Sequence, residues 1–293
     1  MKYNLAFKYR IYPNKEQELL INKTFGCVRF IYNTILYTAN KIYEETGKNK
    51  IITPASLKSE NQFLKEVDSL ALSNAQLNVK RSFTNFFQKR AKFPRFKSKK
   101  TSVKSYTTNC VNNSIRIEEN KYLILPKLKR VKLKYHREIP KDYKIKSVTL
   151  TNSNGNYYVS VLTEFEKEIQ KMPSNDKVIG LDFSMSELFV SSENQRADYP
   201  KYFRMLEKKL KKLQKSLSRK VKFSKNWYKQ KAKISKLHEY IKNCRRDFLH
   251  KLSKKLSEEY NAVVVEDLNM KGMSRALNFG KSVGDNGWGM FLR

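Results

Sequence analysis

The sequence is poor in the residues that staple small secreted folds or hold structural metals. Its three cysteines, Cys27, Cys110 and Cys244, lie far apart with no CxxC pair, and its three histidines, His136, His238 and His250, complete no zinc pattern. Neither a disulfide framework nor structural zinc is expected. Long apolar runs are also missing: no stretch approaches the roughly 20 residues needed to span a bilayer. The amino terminus, "MKYNLAFKYRIYPNKEQ", lacks an unbroken apolar core followed by a small-residue cleavage site. A membrane partner and a secretory route are therefore not expected, and the cytoplasm is the expected location. The last scarcity is of negative charge. Against 61 Lys and Arg stand 27 Asp and Glu, a formal net charge of +34 and a pI near 10.0. Such a chain repels itself unless a polyanion neutralises it, so nucleic acid is the default partner.

What is present is enough for real cores. Hydrophobic residues make up 40% of the 293, with 17 Phe and 17 Tyr, which excludes a disordered tail and allows two or three domains. Residues 3 to 11 alternate, with Tyr3, Leu5, Phe7, Tyr9 and Ile11 on one face, which predicts a half-buried strand. Asn14 and Gln17 have the spacing of a capping box, and Leu20, Phe25, Val28, Ile31, Tyr32 and Ile35 follow at helical intervals. The helical region runs from 14 to 92 with breaks near Gly47 and Pro54. From 101 to 166, "SIRIEENKYLIL" and "KSVTLTNSNGNYYVSVLTEF" read as hairpins, the second turning at Asn154 and Gly155, and together they suggest a small antiparallel barrel. Between helices and barrel, "KRAKFPRFKSKKTSVKSYTTN" interleaves basic residues with Phe93, Phe96 and Tyr106, a pattern suited to a phosphate track with stacking platforms.

The polar stretch "KEIQKMPSND" marks a boundary. After it, "KVIGLDFSMSELFVSS" reads as two strands around a tight turn. Two long helices follow at about 201–220 and 225–260, paired along a seam of Phe203, Leu206, Leu210, Leu213 and Leu217. Residues 201 to 260 carry 21 Lys or Arg against Glu207, Glu239, Asp247, Glu258 and Glu259, a bias expected of a phosphate-binding surface. "NAVVVEDL" then reads as a buried strand ending on Glu266 and Asp267. Acidic residues at a strand exit are commonplace. Asp182, however, also ends an apolar strand of the same segment, and two carboxylates from neighbouring strands would offer hard oxygen ligands to magnesium in one cleft.

The ordered series "YRIYPNKEQ", "TFGCVRFIYN", "FPRFKSKK", "KSYTTN", "IGLDFSMSELFVSS", "RRDFLHKLS", "VVVEDLNMKGM" and "NFGKSV" resembles the TnpB family, RNA-guided DNA endonucleases of insertion sequences related to type V CRISPR effectors. The resemblance covers essentially the whole chain. It implies an α+β multidomain protein: a wedge-like β-barrel from 1–13 and 93–170, a helical recognition lobe from 14–92, and a RuvC domain of the RNase H type from 171–293 that carries the long basic helical hairpin. It implies that Asp182 and Glu266 are the first two catalytic acids and the magnesium ligands. It further implies guide RNA and double-stranded target DNA as partners, with Gln76, Lys80, Thr107, Thr108 and Asn109 reading a short motif beside the target through base edges. Arg95, Lys97, Lys99, Lys100, Arg245 and Arg246 are expected on RNA or DNA phosphates, giving affinity rather than sequence choice.

The sequence also departs from the family. Relatives continue past "GWGMF" into a zinc ribbon and a third catalytic Asp, neither of which this sequence contains, and Asp285 lies too close to the second motif to substitute. The expectation is therefore an incomplete RuvC domain and an RNA-guided, sequence-specific DNA-binding protein without nuclease activity: a transcriptional repressor, monomeric in its ribonucleoprotein, at a bacterial nucleoid. Magnesium is not required for such binding. The alternative is an RNA-guided endonuclease seen in truncated form. A generic basic RNA-binding protein is a third class, and it leaves the ordered motifs unexplained.

Overall fold

The computed structural model describes residues 1–100, 103–168, 176–276 and 280–292. The chain forms two compact units, Met1–Ile169 and Gln170–Arg293.

In the first unit, β1 (Lys2–Tyr12) alternates exposed and buried side chains as its sequence predicts, with Phe7, Tyr9 and Ile11 in the core. The capping box then forms. Gln17 donates its N–H to Asn14 Oδ1 at 2.8 Å, and Asn14 donates its N–H to Gln17 Oε1 at 3.0 Å, starting the 32-residue helix α1 (Lys15–Thr46). The helix stops at Gly47, whose φ of 68° lies in the left-handed region that a side chain disfavours. A short 3-10 turn (Gln62–Lys65) leads into α2 (Ser69–Phe87), capped by Asp68.

Six more strands follow: β2 (Lys104–Asn109), β3 (Arg116–Glu118), β4 (Tyr122–Leu125), β5 (Lys129–Lys134), β6 (Lys144–Ser153) and β7 (Asn156–Glu166). They pair antiparallel with β1 in the order β2-β6-β7-β1-β5-β4-β3. Both expected hairpins are present, and the second turns at Asn154 (φ 52°) and Gly155 (φ 83°), the left-handed pair required by a two-residue connection. Among the described residues the curled sheet ends at β2 and β3, so the small barrel expected from the hairpins is an open one. Alternation within hairpins specifies neighbours, whereas closure depends on whether the outermost strands meet. Helices and sheet share one continuous core, in which Ile21, Ile31, Ile35, Leu72 and Val79 of the helices pack with Leu123, Val131, Val159 and Val161 of the strands. The expected helical and barrel segments therefore share one hydrophobic interior.

In the second unit, β8 (Val178–Phe183), β9 (Phe189–Ser191) and β10 (Ala262–Val265) form a sheet in the order β10-β8-β9. Between β9 and β10 run α3 (Tyr202–Ser218) and α4 (Lys225–Glu259), which pack through Leu210, Leu237 and Ile241 with Leu206, Leu213 and Ile234 beside them. Of the seam read in the sequence, Phe203, Leu206, Leu210 and Leu213 lie in this cluster. The short helices α5 (Met270–Ala276), α6 (Gly280–Asn286) and α7 (Trp288–Phe291) follow β10. Trp288 is fully buried against Phe183 and Phe291, so the short helix seats its largest side chain in the core below β8. Of the described helices, none is long and apolar enough to cross a membrane.

One expectation fails in this unit. "NAVVV" forms a strand, but not a buried one: all four residues of β10 are exposed, Val264 by 60%. Among the described residues β10 has β8 as its single strand partner, so its apolar run lies at a sheet edge.

Candidate functional site

The acidic pair is built by the register of β8 and β10. These strands are parallel, with Val264 beside Gly180 and Val265 beside Leu181. Ile179 and Leu181 turn into the core, which puts Gly180 and Asp182 on the opposite face. Continuing the same register by one residue brings Glu266 level with Asp182 on that outer face, about 4.8 Å away in backbone terms. Both acids border a cleft of about 530 Å³ that Gly180, Ser191, Ser192 and Val264 also line. Ser192 fixes its wall by accepting the Gly180 N–H on its Oγ at 3.1 Å.

Two carboxylates one strand apart repel each other, and a divalent cation between them reverses that penalty. Their oxygens are the hard ligands magnesium prefers, with water and substrate phosphate filling the remaining positions. The residues present thus fit one magnesium ion, which would supply Lewis-acid stabilisation of phosphoryl charge. Among the described residues, no third Asp, Glu, His or Cys joins the pair in a metal-binding group.

The two arginines of "RRDFLHKLS" differ in environment. Arg246 is exposed on α4, its Nε donating to His250 Nε2 at 3.2 Å. Arg245 is held inside: its Nε donates to the Tyr199 hydroxyl at 2.9 Å, and it pairs with Asp285 at 3.2 Å, with side-chain exposures of 16% and 2%. This corrects the expectation that both arginines meet phosphates, because the Arg245 guanidinium is already neutralised by a buried carboxylate. Asp285 also accepts the backbone N–H groups of Phe203 and Arg204, so it caps the start of α3. It belongs to the short helix α6 rather than to a loop.

The basic helices gain a definite face. Lys208, Lys212 and Lys215 of α3 and Arg219 at its C-cap recur at intervals of four, three and four, opposite the leucine stripe, along roughly 16 Å. With Lys211 and Lys220 they line an open groove of about 720 Å³. Lys211 is paired to Glu207, which also binds Lys281, and these two lysines hold the Glu207 carboxyl below its ordinary range. The sequence reading counted these cations without choosing among them. The phase of the leucines contains the signal that selects the stripe.

In the first unit, Arg95, Lys99 and Lys100 are exposed after α2. Lys97 is half-buried, with its ammonium 4.0 Å from the centre of the Tyr32 ring, and its backbone is clasped by Asn33. Burial lowers its pKa. Phe93 and Phe96 are exposed as platforms must be, but Tyr106 is buried against Phe25 and is unavailable for stacking.

The five residues assigned to the motif are divided by strand alternation. Lys80 is exposed on α2 and Gln76 lies one turn before it, its side-chain amide donating to the Ile52 carbonyl at 3.1 Å. Thr107 and Asn109 are partly open on β2, where Thr107 shares a hydroxyl hydrogen bond with Thr149 and Asn109 accepts from Asn74. Thr108 faces the other way. It is 2% exposed and donates its hydroxyl to Asp68, the cap of α2, which corrects its expected place on base edges.

Residues 160–277 match a family model described as "Probable transposase" (OrfB_IS605), and residues 1–48 match one described as "Helix-turn-helix domain". Here residues 1–48 form a strand and one unbroken helix. The chain is 35% identical over 285 residues to the "Putative RNA-guided DNA endonuclease InsQ" of Escherichia coli (strain K12), covering 94% of this chain and 69% of that protein. It is 33% identical over 294 residues to a "Putative RNA-guided DNA endonuclease" of Streptomyces pristinaespiralis, covering 97% and 71%. In fold it resembles a chain in the cryo-EM structure of the Cas12f1-sgRNA-target DNA complex, at 11% identity, with a TM-score of 0.53 over 99% of this chain and 87% of that one. On these relatives and motifs, the chain belongs to the TnpB family.

Proposed function

We propose that this chain is an RNA-guided DNA-binding protein that recognises a short motif beside its target and acts by occupying the DNA, as a transcriptional repressor, without cutting it. The observation that carries the binding half is the α3 cation stripe, four charges on the face opposite a buried leucine seam, in a chain of net charge +34 whose relatives are named as RNA-guided. Sequence choice falls to base pairing with the guide, and Gln76, Lys80, Thr107 and Asn109 supply amide, ammonium and hydroxyl groups for the motif. Arg95, Lys99, Lys100 and Arg246 supply phosphate contacts.

The non-cutting half rests on charge. A two-ion phosphodiester site holds four positive charges between roughly three carboxylates. Among the described residues Asp182 and Glu266 bring two, enough for one ion. The specific observation that favours the second reading, an endonuclease, is that these two acids share one face and one cleft.

The deciding experiment is purification with bound RNA, sequencing of that RNA, and incubation of the complex with magnesium and DNA bearing the matched target. Guide-dependent binding with intact DNA is the expected result. Guide-dependent cleavage abolished by Asp182→Ala would establish the endonuclease instead.

A further inference from the structure

The ends of α1 and α2, with the chain that follows α2, line a cavity of about 170 Å³. Its wall is aromatic. Phe86 meets Phe93 edge-on at 5.2 Å and lies tilted against Phe87 at 5.4 Å, Phe83 meets Phe93 edge-on at 5.9 Å, and Tyr43 completes the aromatic lining. Rings in a core need no explanation, but three of these are open to water: Phe87 is 66% exposed, Tyr43 61% and Phe93 47%. Concave apolar surface of that kind marks a place where something docks. An apolar cavity of about 150 Å³ takes one benzene-sized ring, so this one has room for a single planar ring system. Asn40 and Asn49 add side-chain amides to the lining.

Charge decides which ring. From Lys80 to Lys100 the sequence carries nine Lys and Arg and no Asp or Glu, and that stretch supplies four of the five rings. Glu44 and Glu45 lie beside Tyr43, the latter paired with Lys41. A cationic guest would be drawn to ring faces but repelled by the nine cations. An uncharged apolar guest makes no use of them. A nucleotide uses both, with a π-face for the phenylalanines and a phosphate for the cations. Position points the same way, because a groove of about 490 Å³ that shares Asn49, Phe83 and Phe87 with the cavity is lined by Gln76 and Lys80.

We infer that this cavity takes one unpaired nucleobase from the DNA strand next to the motif, stacked on Phe87 and Phe93. The inference rests on the proposed guided binding of DNA beside a motif read by Gln76 and Lys80. Holding a base out of the stack at that junction favours the opened strand over the closed duplex, so the cavity assists strand separation where pairing with the guide begins.

The test is a thermodynamic cycle between rings and base. The guide-loaded protein is titrated with target DNA that is intact or carries a single abasic nucleotide at each position flanking the motif, using the unaltered chain, Phe87→Ala/Phe93→Ala, and Phe87→Tyr. The expected result is one position at which base removal weakens binding about tenfold in the unaltered chain and in Phe87→Tyr, and leaves the double-alanine variant unchanged. Equal losses in all three proteins at every position would overturn the inference and leave an apolar peptide side chain as the guest. Absence of guide-dependent binding of intact DNA by the unaltered chain would overturn the proposed function, and the base assignment with it. Because Phe87 and Phe93 are exposed, thermal denaturation should find the double-alanine variant folded.

Discussion

Alanine at Arg246 and at Arg245 separates binding from stability, because one guanidinium is exposed and the other neutralises a buried acid. Arg246→Ala should lower RNA affinity and reduce the salt slope of binding by about one while leaving the melting temperature nearly unchanged. Arg245→Ala strands Asp285 and should cost about 3 kcal/mol, read from thermal denaturation without RNA. Glu207 gives a pH test. Its pairing with Lys281 and Lys211 lowers its folded pKa, so its stabilisation is complete above the ordinary carboxylate range and is lost as pH falls through the folded value. Melting temperatures followed from pH 6 downwards should therefore fall less in Glu207→Gln than in the unaltered chain. At this scale the sequence was legible wherever a signal is local. Asn14 and Gln17 cap α1 and Asn154-Gly155 turns the hairpin, because each motif works within four residues. Arg245 was misassigned because its partner lies 40 residues on. Thr108 and Tyr106 were misassigned because "KSYTTN" alternates equally well with either face inward, and only packing against Asp68 and Phe25 decides.

Among the elements, α3 is the most separable into faces. Replacing Lys208, Lys212, Lys215 and Arg219 by alanine leaves the leucine seam intact and favours the helix. RNA binding should weaken at every sequence tested, and the salt slope should fall by about three, measured by titration at several salt concentrations. The turn before α7 is less forgiving. Gly287 has φ 82°, and a Cβ there would lie 3.0 Å from Arg245 Cδ. Gly287→Ala should therefore cost roughly 1 to 2 kcal/mol in thermal denaturation through strain and crowding. The helix-forming stripes of α3 and α4 and the alternation of β1 were plain in the sequence. The exposure of β10 was not, because four apolar residues in a row look alike in a sheet centre and at a sheet edge.

For the whole molecule, charge sets opposite salt responses in the free and bound states. At +34 the free chain is under self-repulsion, so raising salt should raise its melting temperature. The RNA-bound chain should respond in the opposite sense, since salt weakens the complex and bound RNA stabilises the fold by mass action. Parallel melting curves at low and high salt, with and without RNA, check both signs. Composition pointed to a polyanionic partner, and ordered motifs predicted the family. Neither indicated that the helices of the first unit and its sheet share one interior, since the contacts that join them are remote in sequence.

The parallel register of β8 and β10 carries a last consequence. A valine run exposed on both faces gives the strand little reason to prefer one alignment over the next. What sets it lies at the strand's entry, where Asn261 and Ala262 both donate to the Lys177 carbonyl. Removing Val264 alone would keep that anchor and a strand of valines, yet turn Glu266 away from Asp182 and bring Asp267 level with it instead. The frame between residue 261 and residue 266 therefore decides which of two adjacent acids, Glu266 or Asp267, stands beside Asp182, and the doubled acid after the strand keeps a carboxylate there in either frame.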